Sequence, residues 1–370
     1  MRFYSVALFF LCLSLLLSLF PAVKVEANEP RGVSAEAAVL YHPASGTVLY
    51  EKNANDRRPI ASTTKITTAL TILEEEEDLD RTVKIPQEAC GIEGSSLYLR
   101  AGESLTLRDL LYGLMLASAN DAAAALAISN AGSIPAFAAK MNGIAQKLGL
   151  RNTHFQNPHG LDDPEHFSSA KDLALISAAA LDCDEFREIV STKRYSIPSP
   201  DGGRRYLQNH NRLLQMTPDC IGVKTGFTKK SGRCLVSAAE RDEVTLISVT
   251  LNDPNDWKDH LSLFEYGFSS IQKRVLLPSG AFSLDCPVVN GEKDTLEVCN
   301  SEEIGAALPS GSPLPERALK LPRFLTAPIV KGQIVGYVEY DLNGKKIGES
   351  PLVATDSVGE IKYKRGLFHR

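Results

Sequence analysis

The chain has 370 residues, 44% apolar, 23% charged and 7% aromatic, with a formal net charge of −5. These proportions exclude collagen-like, low-complexity and wholly disordered chains, and at ~150 residues per domain the length suggests about two domains. Without a basic excess, the chain as a whole is unsuited to a phosphate backbone, and no nucleic-acid partner is expected.

The one long apolar run lies at the N-terminus. Arg2 precedes the greasy stretch Phe9 to Phe20, and Val25 and Ala27 supply small residues at a cleavage site. Residues 1–27 therefore read as a secretory signal peptide, with an uncleaved anchor as the competing reading. Export places the protein in the cell-wall space, the periplasm or the medium. No other segment approaches the ~20 apolar residues of a membrane helix.

The segments AAVLYH and TVLYEK flank Pro43-Ala44-Ser45-Gly46, a hairpin signal. Ile66, Leu70 and Leu73 then recur at helical spacing behind Ser62-Thr63-Thr64-Lys65, and Glu74–Asp78 read as a solvated helix end. Residues 104–148 look almost wholly helical, with Ser104 as the first cap, a short break at Asn120 and Gly149 as the final C-cap. Two more helical stretches fill 169–191. Strand patterns follow in RYSIP, CIGVKTGF, RCLVSAAE and VTLISVTL, with Asp242-Glu243 as a turn, before a helix from Trp257 to Ile271. Sheet at both ends of this region implies one sheet built from distant parts of the chain and packed by an α subdomain. Residues 275–370 are proline-rich with short β-like pieces, which reads as a separate small all-β domain.

Cys12 lies in the leader, leaving Cys90, Cys183, Cys220, Cys234, Cys286 and Cys299. The pairs Cys220/Cys234 and Cys286/Cys299 are the first candidates for disulfides, and buried free thiols are the equal alternative. No Cys-x-x-Cys or Cys/His cluster has metal spacing, so neither a metal nor a cofactor is expected. His154, His159 and His166 cluster without acidic partners and read as structural.

Ser-x-x-Lys occurs three times, at Ser62/Lys65, Ser168/Lys171 and Ser270/Lys273. The i, i+3 spacing puts both side chains on one helix face, and a lysine that loses its charge by burial can take a serine proton. Ser-x-Asn occurs once, at Ser118–Asn120, and Lys-Thr-Gly once, at Lys224–Gly226. Only Ser62 opens the series in that order. Each element has a plain alternative: Ser62 as an N-cap, Ser118 and Asn120 as caps of the Ala-rich helix, Lys224 as an edge-strand lysine. Their ordered, joint occurrence is the signature of active-site-serine penicillin-recognising enzymes.

With Ala61-Ser62-Thr63-Thr64-Lys65, Leu116–Ala122, Asn157-Pro158-His159-Gly160-Leu161 and Lys224-Thr225-Gly226-Phe227-Thr228 in view, the chain resembles a low-molecular-weight penicillin-binding protein. That is a serine-type D-alanyl-D-alanine carboxypeptidase of the S11 peptidase family, and the likeness covers residues 35–272 strongly. The resemblance implies an α+β fold of the penicillin-binding-protein/β-lactamase type, an antiparallel sheet flanked by helices plus an α subdomain. A signal peptide at 1–27, a catalytic domain at 28–274 and a C-terminal β-sandwich-like domain at 275–370 are expected.

It also implies roles. Ser62 is the acylated nucleophile, Lys65 its general base, and Ser118 the relay to the leaving D-Ala nitrogen. Asn120 binds the substrate amide and orders Lys65. Lys224 and Thr225 engage the terminal carboxylate. Gly226 allows close approach, since a side chain there blocks backbone pairing with substrate. The backbone N–H groups of Ser62 and Phe227 form the oxyanion hole. The implied partners are peptidoglycan stem peptides ending in D-Ala-D-Ala, with β-lactams as covalent inhibitors.

A class A β-lactamase needs a Glu-x-x-Leu-Asn element between Asn120 and Lys224, and none of Glu165, Glu185 and Glu188 sits in one. A DD-endopeptidase and a non-turnover receptor use the same residues and stay open. Residues 359–370 are basic and partly apolar, with Gly366 interrupting them, and a weak peripheral membrane contact is carried as a hypothesis.

Overall fold

The computed structural model describes Pro30 and residues 32–361. The leader at 1–27 and most of the basic C-terminal segment therefore lie outside the described residues. Strands β1 (Ala37–His42) and β2 (Thr47–Lys52) form the expected hairpin around a single 3-10 turn, Pro43–Ser45. Gly46 closes it at φ +64, a left-handed conformation that glycine adopts without a Cβ clash.

A second 3-10 turn, Ala61–Thr64, runs directly into helix α1 (Lys65–Glu75). Burial of Ile66, Leu70 and Ile72 anchors that helix, each worth roughly 1.5–3 kcal/mol before entropy. Strands β3 (Thr82–Lys84) and β4 (Ser104–Thr106) make a small hairpin, and helices α2 (Leu107–Leu116), α3 (Asn120–Ala131) and α4 (Ile134–Lys147) follow. Ser104 is thus a strand residue rather than a helix cap. Thr106, the last residue of β4, caps α2, its hydroxyl accepting from the Asp109 N–H, while Ser104 lies two residues back in the β3–β4 ladder, too early to reach the helix start. Gly149 does sit past the end of α4, at φ +69.

Helices α5 (Ala170–Leu181) and α6 (Asp184–Ser191) complete the α subdomain. Strands β5 (Arg194–Pro198) and β6 (Arg204–Gln208) pair as a hairpin, and one turn of helix, α7 (Leu213–Met216), follows. Strands β7 (Cys220–Thr228), β8 (Gly232–Arg241) and β9 (Val244–Leu251) lead to helix α8 (Asp256–Ser270). The main sheet has the order β2-β1-β9-β8-β7 and is antiparallel throughout. It joins the N-terminal hairpin to strands some two hundred residues later, as expected.

Period-two alternation splits this sheet between two cores. Val39 and Tyr41 of β1, with Val236 and Ala238 of β8, face the α subdomain. Leu40 of β1 and Leu235 and Ala239 of β8 face the opposite way, onto Leu263 and Phe264 of α8. A sheet covered on both faces explains why AAVLYH is apolar without a break.

The rest is all β: β10 (Ile271–Leu277), β11 (Ser283–Val289), β12 (Thr295–Asn300), β13 (Ile304–Pro309), β14 (Glu316–Lys320), β15 (Leu325–Thr326), β16 (Ile334–Leu342) and β17 (Lys345–Ala354). Strands β10 and β13 pair, and six strands form a sheet ordered β14-β16-β17-β12-β11-β15. The β16–β17 turn rests on the first hairpin: Asn343 Nδ2 donates to Ser45 O at 3.1 Å and Lys345 Nζ to Pro43 O at 3.0 Å.

Neither candidate disulfide pair is formed, and all six cysteines among the described residues are free, the alternative reading. The ladder explains it. Cys220 lies opposite Ala239 whereas Cys234 lies opposite Gly226. Cys286 lies opposite Leu296 and Cys299 opposite Ser283. Each pair is separated along its strands, beyond the Cα spacing a disulfide spans.

Candidate active site

Ser62 sits in the 3-10 turn at the head of α1. The turn is held by Thr63 Oγ1 donating to Ile60 O at 2.6 Å and Thr64 Oγ1 donating to Ala61 O at 2.8 Å. Thr64 also meets His166 Nε2 at 2.8 Å. Ala61 and Ser118, the residues that turn the chain into the site from either side, both have positive φ, +47 and +58. Non-glycine residues in that region cost energy and concentrate at functional sites.

Lys65 is fully buried, and its Nζ lies 2.9 Å from Ser62 Oγ, 2.7 Å from Asn120 Oδ1 and 2.7 Å from His159 O. An ammonium donates to all three, whereas a neutral amine keeps a lone pair that accepts the Ser62 hydroxyl proton. Burial pushes the Lys65 proton affinity well below the ordinary lysine range, the Lys224 charge pushes it further, and the Asp121 carboxylate opposes both. Burial alone takes Lys224 down to about 7. Its Nζ donates to Thr225 O at 2.9 Å. Burial also holds His159 at about 3 and His166 at about 4, so both are neutral imidazoles at pH 7.

The three motifs converge. Ser62, Ser118, Thr225, Gly226 and Phe227 line one cleft of about 330 Å³, with Lys65, Asn120 and Lys224 buried behind it. Strand β7, which carries Lys224 to Phe227, is the open edge of the main sheet. Lys224 is nevertheless only 1% exposed, so it is no solvated edge lysine. Neither Ser118 nor Asn120 caps α3; Ala119 holds that position, with no side-chain bond. A Cβ on Gly226 would come within 3.0 Å of Ser62 N and 3.1 Å of Ile60 O. The glycine thus lets β7 press against the turn that carries Ser62.

Sequence reasoning missed several residues of the cleft. Ser95, His210, Arg233 and Trp257 also line it. Arg233 is held by Asp256 at 2.7 Å, across the ladder from Phe227. Asp121 was visible only as the residue after Asn120. A larger hollow, of about 500 Å³, lies elsewhere, between Arg241, Phe268 and Lys273, and holds no nucleophile. Among the described residues no group of three or more His, Cys, Asp or Glu is placed to hold a metal ion.

A Ser-x-x-Lys at the head of a helix, its lysine buried and its serine facing a cleft, beside an antiparallel sheet and ahead of an all-β unit, defines the penicillin-binding-protein class. The family model for D-alanyl-D-alanine carboxypeptidase, peptidase S11, matches residues 23–255, and that for the penicillin-binding protein 5 C-terminal domain matches residues 273–360. The D-alanyl-D-alanine carboxypeptidase DacF of Bacillus subtilis (strain 168) is 31% identical over 333 residues, covering 88% of this chain and 86% of its own. DacC of Escherichia coli (strain K12) is 34% identical over 350 residues, covering 90% and 86%. Penicillin-binding protein 5 from Haemophilus influenzae superposes with a TM-score of 0.66 at 30% identity, covering 90% of this chain and 99% of that one. The chain belongs to the S11 family of serine-type D-alanyl-D-alanine carboxypeptidases and carries their C-terminal β domain.

Proposed function

We propose that the protein removes the terminal D-alanine from peptidoglycan stem pentapeptides through an acyl-enzyme on Ser62. The observation that carries this reading is the 2.9 Å contact between Ser62 Oγ and a fully buried Lys65 amine of depressed proton affinity. Neutral Lys65 takes the hydroxyl proton as Oγ attacks the carbonyl of the penultimate D-Ala. The N–H groups of Ser62 and Phe227 receive the developing oxyanion, worth roughly 3–4 kcal/mol per donor. Ser118 passes the proton to the departing D-Ala nitrogen, and water then releases the shortened peptide. Asn120 holds the substrate amide and Lys65 together. Lys224 and Thr225 hold the terminal carboxylate, and Gly226 keeps the strand close.

β-Lactams acylate the same serine in this reading. Residues 1–27 direct export, 28–274 form the catalytic unit and 275–370 the β domain, and the enzyme works outside the cytoplasm. A DD-endopeptidase uses the same residues on a crosslinked substrate, and a receptor stops at the acyl-enzyme.

The test is D-Ala release from diacetylated Lys-D-Ala-D-Ala by the purified protein and by Ser62→Ala. Release by the wild type alone supports the carboxypeptidase. No release with Ser62 still acylated by penicillin supports the receptor or endopeptidase. Neither release nor acylation ends the reading.

A further inference from the structure

We propose that Asp121 is a positioning residue that ties the cleft loop 93–99 to the Ser62–Lys65 pair, working through both its hydrogen bonds and its charge. The inference rests on the proposed roles of Ser62 and Lys65. Asp121 is wholly buried in the first turn of α3. Its Oδ1 accepts from Leu97 N at 3.0 Å and from its neighbour Ala122 N at 2.9 Å. Its Oδ2 accepts from Ser96 Oγ at 2.6 Å and from Leu99 N at 3.0 Å. Three of these four donors come from the loop, which the carboxylate grips as an N-terminal cap grips a helix.

The residue before it reaches both the same loop and Lys65. Asn120 Oδ1 receives Lys65 Nζ, while Asn120 N donates to Ser95 O at 2.7 Å and Asn120 Nδ2 donates to Glu93 O. Gly94, at φ +94, packs against that amide, and a Cβ there would lie 2.9 Å from Asn120 Nδ2. Ser95 lines the cleft itself. One dipeptide therefore holds the cleft wall with both side chains and joins it, through Asn120, to Lys65.

The charge matters separately. The titratable groups around Lys65 are Lys224 on β7, Asp121 on α3, and His159 and His166 in the segment between α4 and α5. Both histidines are neutral, Lys224 lowers the proton affinity of Lys65, and Asp121 raises it. Asp121 is thus the carboxylate that offsets Lys224 beside the Lys65 amine.

The two contributions move activity in opposite directions, which makes them separable. The test uses the full chain as wild type, Asp121→Asn, Ser96→Ala and Ser62→Ala, with kcat/KM for D-Ala release followed from about pH 5 to about pH 10. In Asp121→Asn the plateau falls roughly 10–100-fold as the wall loosens, while the acid limb moves to lower pH because Lys65 loses its anionic neighbour. Ser96→Ala keeps the charge, so its plateau falls several-fold with the limb in place. A folded Asp121→Asn with a wild-type plateau overturns the proposal. So does a lowered plateau with an unmoved limb, the outcome of a merely structural role. If Asp121→Asn does not fold, wild-type kinetics in Ser96→Ala overturn it. Activity surviving in Ser62→Ala instead removes the underlying reading, and the two failures remain distinct.

Discussion

Lys224, buried on the edge strand, depresses the proton affinity of Lys65, which is buried at the head of α1. Two cations in one dry compartment are costly unless at least one gives up its proton. The compartment therefore favours a base at the position next to Ser62, and it does so at the expense of stability.

That expense has a pH signature. The folded-state value for Lys224 is about 7, against an ordinary 10.5. Between those values the unfolded chain binds more protons, so folding stability rises with pH across the window. Chemical denaturation at a series of pH values should show this rise, by up to a few kcal/mol. Lys224→Met should make it shallower without abolishing it, because buried Lys65 contributes a slope of the same sign, and should unfold later than wild type at pH 7 and lose carboxypeptidase activity. An unchanged slope in Lys224→Met would show that the lysine keeps its charge when buried.

The acid side is governed by histidines. His42 and His166 are held at about 4, and His159 and His260 at about 3, all chiefly by burial. Each folded value lies below the ordinary 6.5, so stability is intact above 6.5 and is lost as pH falls toward about 4. Thermal melts should shift steadily downward over that interval. His260→Leu, at a ring fully buried in α8, should shift less. Melting temperatures indifferent to pH between 6.5 and 4 would mean these rings are not buried neutral.

Gly160 offers a sharper steric test. At φ +88 it lies against Ser62's turn, where a Cβ would stand 1.9 Å from Ala61 O and 2.4 Å from Ala61 C. Backbone cannot yield as a side-chain tip can. Gly160→Ala should cost on the order of 3 kcal/mol or more and lower the rate of penicillin acylation. Gly226→Ala, with its nearest contacts at 3.0–3.1 Å, should unfold nearer to wild type yet acylate slowly. Equal penalties in both would contradict the packing described.

Much of this was legible in the sequence, for physical reasons. Apolar alternation and turn chemistry report burial directly, so the hairpin at Ala37–Lys52, the strands from Cys220 to Leu251 and the Ala-rich helices stand where the pattern places them. The three motifs are legible because their chemistry requires particular side chains. What escaped depends on backbone partners. Asp121 is satisfied by loop N–H groups and a serine more than twenty residues earlier, and a backbone donor leaves no mark in a residue's identity. Strand β6 was missed because Arg204, Tyr206 and Gln208 are exposed, leaving Leu207 alone to signal burial. The Ser104 cap failed because the short strand β4 puts the helix start at Leu107.

The cysteines give a simple check. With all six free among the described residues, the protein denatured without reductant should titrate six thiols from Cys90 to Cys299, plus Cys12 if the leader is retained. Reductant should leave the melting temperature unchanged. Burial holds Cys220 and Cys234 up at about 11, so both should resist alkylation in the native state. Fewer than six thiols would reveal a disulfide.

Among the described residues, strand β7 ends the main sheet without a partner strand on its outer side. Proteins usually blunt such an edge with charge, a bulge or a covering element, because an open ladder recruits other chains. Here the lysine that would serve as a guard is turned inward. The guard is instead the break in register between Cys220 and Gly222, which leaves the strip of backbone from Lys224 to Phe227 for the cleft. A peptide that docks there as an added strand is held mainly by main-chain groups, which are the same whatever the side chains. Under the proposed function a ligand held on Ser62 covers this strip, and light scattering should then find less self-association in the acylated protein than in the free one.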